Sequence, residues 1–369
     1  MICKITRKKI KPFMSFGKMP IANGFLKKEN FKKEFTFKME VGFSKKISLF
    51  QLNDHPKPDL MFNKNYPFFT SSSKYMVKHF KEYAKWIKKN YSDNVNNIIE
   101  IGSNDGSFLK NFKTKNNSIL GVEPSSNVSK LANKNGVKTI NKFFTHKTAN
   151  SLKKFKNKTD LICAANAICH IPNLRDLIKG IDSLLSKKGI FIFEEPYLGS
   201  MYEKTSYDQI YDEHIFMFSA TSVKKIFNLF NFDLINIEKQ STHGGSMRYV
   251  IARKGVYEIN KSVNKTLSNE KKSDVDNIKG CLRFKKRCEN SKKKLRNKIN
   301  KILRQGKSIA GYAATSKSTT ILNYCGINNK HIDFICDTTK NKIGKFTPKT
   351  HIPILDVTYF RKNLPDYTF

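Results

Sequence analysis

Strand-length apolar runs alternate with helical segments through the middle of the chain, from "MVKHFKEYAKWIKK" to "YVIARKG". The runs are "NIIEIG", "SILGVEP", "DLICAANA", "GIFIFEEP" and "LINIEKQ", and each is followed by a turn or a helix. This rhythm is typical of an α/β sheet whose strands are joined by crossover helices. The middle of the chain is therefore predicted to form a Rossmann-like domain.

The chain of 369 residues is too long for one ordinary hydrophobic core, and its residue patterns divide it into three parts. Residues 1–75 mix short β-like runs with Pro and Gly, which predicts a small β-rich module. Residues 76–256 hold the α/β pattern. Residues 257–369 begin with an amphipathic helix near 274–304, which is followed by a strand–turn–helix–strand pattern. We predict an α/β fold with a second, smaller Rossmann-like domain at the C-terminus.

The composition is strongly basic, with 69 Lys and Arg against 30 Asp and Glu and a formal net charge of +39. The lysines are spread along the chain instead of forming one block, so we attribute the charge to general over-use of lysine. We do not expect a nucleic-acid partner, whereas an anionic substrate is compatible with this charge. The odd number of cysteines, seven without a C-x-x-C pair, indicates a reducing compartment, and no run approaches transmembrane length. The predicted location is the cytoplasm, without membrane contact.

A glycine-containing loop, "EIGSNDGSF", follows the first central strand and precedes a predicted helix. Glycines at Gly102 and Gly106 allow a sharp turn and a close approach of the backbone to a ligand. The spacing from Glu100 to Gly106 differs from that of the dinucleotide motif G-x-G-x-x-G. Asn104 and Asp105 lie between the two glycines and complete the predicted cofactor loop.

Polar residues also end the next two strands. Glu123 lies at the tip of "LGVEP", where an acid can accept both ribose hydroxyls of an adenosine group. Asn166 and His170 follow the third strand in "AANAICHIP", at the same carboxyl edge. This arrangement resembles class I methyltransferases, and the resemblance implies S-adenosylmethionine as the cofactor.

Longer segments resemble one family, the sugar C-methyltransferases that act on nucleotide-linked 4-keto-deoxyhexoses. The matching segments are, in order, "FGKMPIANGFL", "YPFFTSSSKYMVKHFKEYA", "EIGSNDGSFL", "GVEPSSN", "ANAICHIPNL", "FEEPYLGSM", "YDQIYDEHIFMFS", "GGSMRYVIA" and "GYAATSKSTTILNY". The resemblance implies an N-terminal zinc-binding module, a central cofactor domain and a C-terminal domain that helps to hold a nucleotide sugar. It also implies methylation at C3 of the sugar.

The segment "YDQIYDEHIFMFS" is the predicted catalytic segment. His214 is the expected base, because neutral imidazole can remove the C3 proton that the neighbouring C4 ketone acidifies. Glu213 is expected to orient groups or bind sugar hydroxyls, and Tyr211 to donate toward the ketone oxygen. The alternative for His214 is a structural histidine that caps a loop.

Five further residues are predicted to bind the substrate. Tyr66, Ser71 and Ser73 match the family's substrate-side segment, although the serines could simply cap a helix. Lys317 could meet a diphosphate beside the N-terminus of a helix, or remain solvated. His243 could line the same cleft or be structural.

The chain departs from the family at the zinc module. Cys3 remains, but Thr6, Ser44 and Ile47 stand where the family has its other three cysteines. Since one thiolate cannot hold a structural zinc, we predict no metal and a module held by its own apolar contacts. The C-terminal domain is expected to be shortened relative to the family.

Two rival functions remain open at this point. One is methylation of another acceptor, RNA or a small molecule, and the other is a non-catalytic relative that has lost activity. The identity of the sugar, the base of its nucleotide and the oligomeric state are left open by the sequence.

Overall fold

The computed structural model describes residues 1–91 and 95–369. The strands are β1 (Pro12–Pro20), β2 (Thr36–Ser44), β3 (Leu49–Leu52), β4 (Asn97–Ile101), β5 (Ser118–Val122), β6 (Thr139–Ile140), β7 (Thr159–Ala165), β8 (Leu185–Pro196), β9 (Phe216–Met217), β10 (Phe232–Gln240), β11 (Ser246–Arg253), β12 (Ile309–Tyr312), β13 (Ile335–Asp337), β14 (Ile354–Asp356) and β15 (Tyr367–Thr368). The helices are α1 (Pro58–Met61), α2 (Lys74–Tyr91), α3 (Ser126–Lys134), α4 (His146–Ser151), α5 (Leu174–Leu184), α6 (Leu198–Lys204), α7 (Ala220–Asn228), α8 (Lys261–Lys272), α9 (Ile278–Arg304), α10 (Ser316–Cys325) and α11 (Val357–Lys362).

The central sheet has seven strands in the order β10–β11–β8–β7–β4–β5–β6. Strands β4 to β8 pair in parallel, and β11 and β10 complete the sheet by antiparallel pairing. The predicted apolar runs coincide with β4, β5, β7, β8 and β10, and their side chains are buried because helices cover both faces of such a sheet. The predicted central α/β domain is confirmed.

The N-terminal module forms a four-stranded antiparallel sheet in the order β1–β2–β3–β9. Its last strand, β9, comes from the predicted catalytic segment and pairs with β3. Ile47 and Leu49 of the module pack in the same apolar cluster as Ile215 and Phe216. The module is therefore held by contacts with the catalytic segment as well as by its own apolar residues.

The C-terminal part is a parallel sheet in the order β14–β13–β12–β15, with α10 following β12. The predicted helix near 274–304 corresponds to α9. The helix is amphipathic, as predicted, although Leu282 on it is 51% exposed. Its buried face includes Cys281, Phe284 and Cys288, at spacings of three and four residues, and Ile299 and Ile302 near its end.

Helix α8 is fastened to the central part by one buried carboxylate. Glu270 accepts hydrogen bonds from the Tyr197 hydroxyl (2.9 Å), the Ala220 amide (2.6 Å), and both the amide (2.8 Å) and hydroxyl (2.6 Å) of Thr221. Four donors offset the cost of burying this carboxylate. In the part of the chain that the structure describes, no helix is long and apolar enough to cross a membrane.

Candidate active site

A cavity of about 1030 Å³ lies beyond the carboxyl ends of β4, β5 and β7. Asn23, Phe62 and Tyr66 line it from the N-terminal side, and the loops 315–317 and 338–342 line it from the C-terminal side. Ligands bind in this crevice in open α/β sheets because the connecting loops of several strands converge there. All three parts of the chain therefore contribute to one site.

The predicted cofactor loop follows β4 and turns sharply. Gly102 has φ +69°, and a Cβ atom there would lie 2.5 Å from the Cβ of Ala167, so only glycine fits. The predicted helix after this loop is wrong: the next element is a single 3₁₀ turn at Leu109–Phe112. The Glu123 carboxylate accepts the Asn104 amide (3.0 Å) across the loop, and this bond holds the tight turn.

Two buried acids flank this loop. Glu100 is 3% exposed, and its Oε2 has no hydrogen-bond partner among the described residues. Burial raises the pKa of Glu100 well above its ordinary value, and burial also raises the pKa of Glu123. Glu123 additionally accepts the amide of Ser125 (2.7 Å) through Oε1. The unpartnered carboxyl oxygen of Glu100 beside this glycine turn can hydrogen-bond a ligand in the cavity.

The side chains of Asn104 and Asp105 in this loop bind the backbone of the neighbouring segment 68–71. Asn104 accepts the Thr70 amide (3.0 Å) and donates to the Phe68 carbonyl (3.1 Å), and Asp105 accepts the Ser71 amide (2.8 Å). Of the residues predicted for the cofactor, Asp105 lies behind the cavity wall, with Gly106. The segment 68–71 is thereby pinned across the cofactor loop.

The turn after β7 is organised by an acid that the sequence reasoning missed. Oε1 of Glu195 accepts the amides of Ala167 (2.9 Å), Ile168 (2.6 Å) and Cys169 (3.2 Å). This turn places Asn166 and His170 on the cavity, as predicted from their position in the sequence. The only signal for Glu195 was its place in "FEEPYLGSM", where nothing distinguishes it from Glu194.

Three non-glycine residues of the cavity have left-handed backbones. Asn104, Asn166 and His243 have φ values of +47°, +53° and +51°. Such conformations are uncommon for residues with a Cβ and concentrate at functional sites. These residues lie in three different loops, after β4, after β7 and between β10 and β11, and all three line the cavity.

His214 is held in one tautomer. Its Nδ1 donates to the Gln209 carbonyl (2.8 Å), which leaves Nε2 as an acceptor for the Tyr211 hydroxyl (2.8 Å). Burial, followed by the nearby His170, lowers the pKa of His214 well below its ordinary value, so the ring is neutral near pH 7. Burial and the carboxyl of Glu213 raise the pKa of Tyr211, which keeps its hydroxyl protonated. In this structure the Nε2 lone pair and the Tyr211 hydroxyl proton are bonded to each other, and both residues line the cavity.

The acids before His214 dock the N-terminal module. Asp212 accepts the Ala22 amide (2.8 Å), and Glu213 accepts the Asn23 side-chain amide (2.8 Å). Burial raises the pKa of both carboxyls, and Glu213 raises that of Asp212 further. The matching segment "PIANGFL" therefore contacts the catalytic segment directly.

The five residues predicted for the substrate separate into two groups. Tyr66, His243 and Lys317 line the cavity, and Nε2 of His243 is buried with no partner in the described chain. Ser71 and Ser73 lie outside the lining, and the Ser73 hydroxyl accepts the Met76 amide (3.3 Å) at the start of α2.

Burial lowers the pKa of Lys317, and the carboxylate of Asp208 opposes that effect. Lys340 and Lys342, which the sequence reasoning missed, line the cavity near Lys317.

The positions that would hold a zinc ion in the N-terminal module do not fit a metal. Cys3 is fully buried in an apolar cluster, and its sulfur accepts the Thr6 amide (3.4 Å). Ser44 and Ile47 are also buried, but they offer no thiolate or imidazole. A structural zinc needs four such ligands. The residues at the family's zinc positions in this module therefore do not fit a structural zinc ion.

Family models match the chain in three consecutive parts. Residues 2–62 match a putative zinc binding domain, residues 75–237 a methyltransferase domain, and residues 241–369 a C-methyltransferase C-terminal domain. The chain is also 27% identical, over 96% of its length and 85% of the relative's, to the C-methyltransferase NovU of Streptomyces niveus.

Solved structures resemble the central part more remotely. The PH0226 protein of Pyrococcus horikoshii covers 52% of this chain and 97% of its own, at 16% identity and a TM-score of 0.42. The magnesium protoporphyrin IX methyltransferase of Synechocystis, solved with bound SAH, covers 48% of this chain and 83% of its own, at 12% identity and a TM-score of 0.37.

Proposed function

We propose that this chain, an S-adenosylmethionine-dependent methyltransferase similar to C-methyltransferases, methylates C3 of a nucleotide-linked 4-keto-deoxy sugar. One observation carries the proposal. A neutral histidine whose acceptor nitrogen touches a tyrosine hydroxyl faces the cavity at the carboxyl edge of the sheet. Such a pair can remove a proton next to a ketone and hydrogen-bond the oxygen that becomes negative.

His214 is proposed to remove the C3 proton. The Nδ1 bond to the Gln209 carbonyl fixes the ring so that the lone pair on Nε2 faces Tyr211. When the ketone oxygen takes the Tyr211 hydroxyl as its donor, Nε2 is free to accept the proton. Because the ring is neutral near pH 7, no deprotonation has to precede this step.

Tyr211 is proposed to stabilise the enolate. Its hydroxyl is buried, and a donor in a site shielded from water stabilises a developing oxyanion more than the same donor in bulk water. Glu213 and Asn23, which bond each other, are suited to hold sugar hydroxyls at the entrance from the N-terminal module.

Glu100, Gly102, Asn104, Glu123, Asn166 and His170 are the residues proposed to hold S-adenosylmethionine. When bound, this group supplies a sulfonium methyl as the electrophile for the nucleophilic C3 carbon. The protein's own contribution is to hold the two reactants in line, which by itself accounts for several kcal/mol of the barrier.

The nucleotide is proposed to lie against the C-terminal part. Thr315 caps α10 by accepting the Ser318 amide (3.0 Å), and Thr315, Ser316 and Lys317 at the start of this helix line the cavity. Helix N-termini and lysines bind phosphate oxygens. Lys340 adds positive charge to the lining, whereas Lys342 is held by the Ala314 carbonyl (2.7 Å) and by Asp337 (3.5 Å).

The decisive experiment separates the proton step from methyl transfer. The protein is incubated in deuterated buffer with a nucleotide-linked 4-keto-6-deoxyhexose, with and without S-adenosylmethionine. We expect deuterium at C3 and a methylated product. In His214→Ala the exchange should slow by about 10²–10⁴-fold, the usual contribution of a general base. His331→Ala, outside the cavity, is the matched control.

Normal exchange in His214→Ala would show that another group is the base. Absence of any exchange or methylation in the wild-type protein would refute the sugar substrate. Methylation of RNA that weakens steeply with salt would favour the nucleic-acid acceptor instead.

A further inference from the structure

A cluster of three metal-ligating side chains lies in the cavity wall. One nitrogen each of His170 and His214 and the sulfur of Cys169 lie within 4.8 Å of one another. Cys169 is 1% exposed and His214 is 5% exposed, and both histidines line the cavity. Among the described residues this combination of soft sulfur and imidazole donors is unlike an ordinary acidic surface cluster.

A second observation points to a ligand at this place. Nε2 of His170 is buried and has no hydrogen-bond partner in residues 1–91 and 95–369. Buried polar nitrogens are nearly always paired, so an unpaired one marks a place where a ligand completes the site. The fold also holds the cluster together, since the Ile215 amide donates to the Cys169 carbonyl (3.0 Å).

His214 has the environment of a metal ligand. Metal-binding histidines typically donate their other ring nitrogen to a backbone carbonyl or a carboxylate, which fixes the ring and the tautomer. Nδ1 of His214 does this with the Gln209 carbonyl (2.8 Å). Tetrahedral zinc with one sulfur and two nitrogens holds these atoms roughly 3.5 Å apart. The three atoms lie within 4.8 Å of one another, and the His170 and His214 rings are stacked, so the side chains have to rotate toward the ion to reach that distance.

We propose that Cys169, His170 and His214 form a three-ligand site for Zn²⁺ or a similar late first-row divalent ion, and that filling it inhibits the enzyme. Three protein ligands leave the fourth position open toward the cavity. Binding releases the Cys169 thiol proton to solvent and breaks the bond from the Tyr211 hydroxyl to Nε2 of His214. Inhibition follows because the lone pair that would accept the C3 proton is then on the metal.

Direct binding is measured with Co²⁺ on the full chain after chelator treatment. We expect a sulfur-to-cobalt charge-transfer band that Zn²⁺ abolishes. Cys169→Ser should lose the band and bind Zn²⁺ at least about tenfold more weakly, as loss of even an outer-shell partner does. Cys336→Ser, in the C-terminal sheet, should keep the band. The proposal is wrong if the wild-type protein shows no such band, or if Cys169→Ser binds Zn²⁺ as the wild type does.

X-ray absorption on the wild-type zinc complex tests the same point without a variant. One sulfur in the first shell is expected, and a shell of nitrogen and oxygen alone would overturn the site. The inhibition arm rests on the proposed function: Zn²⁺ should block C3 exchange in the wild type at least about tenfold more strongly than in Cys169→Ser. If Zn²⁺ fills the site with the sulfur ligand confirmed and C3 exchange continues, the role of His214 as base is refuted. Equal inhibition of both proteins would refute inhibition through this site.

Discussion

Adjacent glutamates at the end of β8 should respond to pH in opposite directions. Burial raises the pKa of Glu195 to about 7, although three amides donate to it. The pKa of Glu194 is lowered: burial opposes this, but the His79 hydrogen bond and the Arg248 guanidinium outweigh it. We predict that replacing each by glutamine changes the pH dependence of unfolding with opposite sign.

The magnitude for Glu195 follows from its pKa. Its ordinary value is 4.5 and its folded value is about 7, so the folded protein binds this proton more tightly than the unfolded chain does. The resulting stabilisation is complete below about pH 4.5 and is lost as the pH rises through about 7. A difference of about 2.5 pH units corresponds to roughly 3 kcal/mol. Glu195→Gln should therefore gain up to about 3 kcal/mol relative to wild type across this range.

Glu194→Gln is the matched control. The contribution of Glu194 is present above its ordinary pKa and lost as the pH falls through its lowered folded value. This variant should be less stable than wild type near pH 7 and converge with it in acid. The assay is urea unfolding of the three proteins at several values between about pH 2.5 and 8, which covers both transitions. Parallel curves for the wild type and Glu195→Gln would refute the reasoning.

Three further predictions concern single contacts. Glu270→Ala should lower the free energy of unfolding by about 3–5 kcal/mol in urea, since four buried or partly buried donors lose their acceptor; Glu270→Gln should cost less. Asn104→Ala should raise the KM of both substrates more than it lowers kcat in steady-state kinetics, because it frees segment 68–71; an unchanged KM would contradict this role. EDTA dialysis of Cys169→Ser, which lacks the sulfur ligand of the inferred site, should leave the urea midpoint unchanged, because Cys3 is the only thiol at the family's zinc positions; a clear decrease would reveal a structural metal in the N-terminal module.

The architecture of the central part was predictable from the sequence. Buried parallel strands must be apolar throughout and must be joined by crossovers, so β4, β5, β7 and β8 were visible as separate runs. The loop at Gly102 was visible for a similar reason, since a glycine directly after a buried strand marks a sharp turn. Strand formation and the turn at Gly102 each depend on a few residues that are adjacent in the sequence.

The contacts that were missed join residues far apart along the chain. Glu195 acts through amides about 27 positions earlier, and Asp212 and Glu213 meet Ala22 and Asn23 about 190 positions earlier. No periodicity encodes such a pairing.

By itself, the sequence determined the order of the elements, the glycine turn and the presence of a histidine in an acidic, aromatic segment. Only the tertiary structure decided that Nε2 of His214 keeps a lone pair and faces Tyr211. It also decided that Cys169 and His170 lie beside His214. The physical reason is that tautomer, burial and ligand geometry are set by atoms that the fold brings together from separate strands, whereas strand and turn formation is set by residues adjacent in the chain.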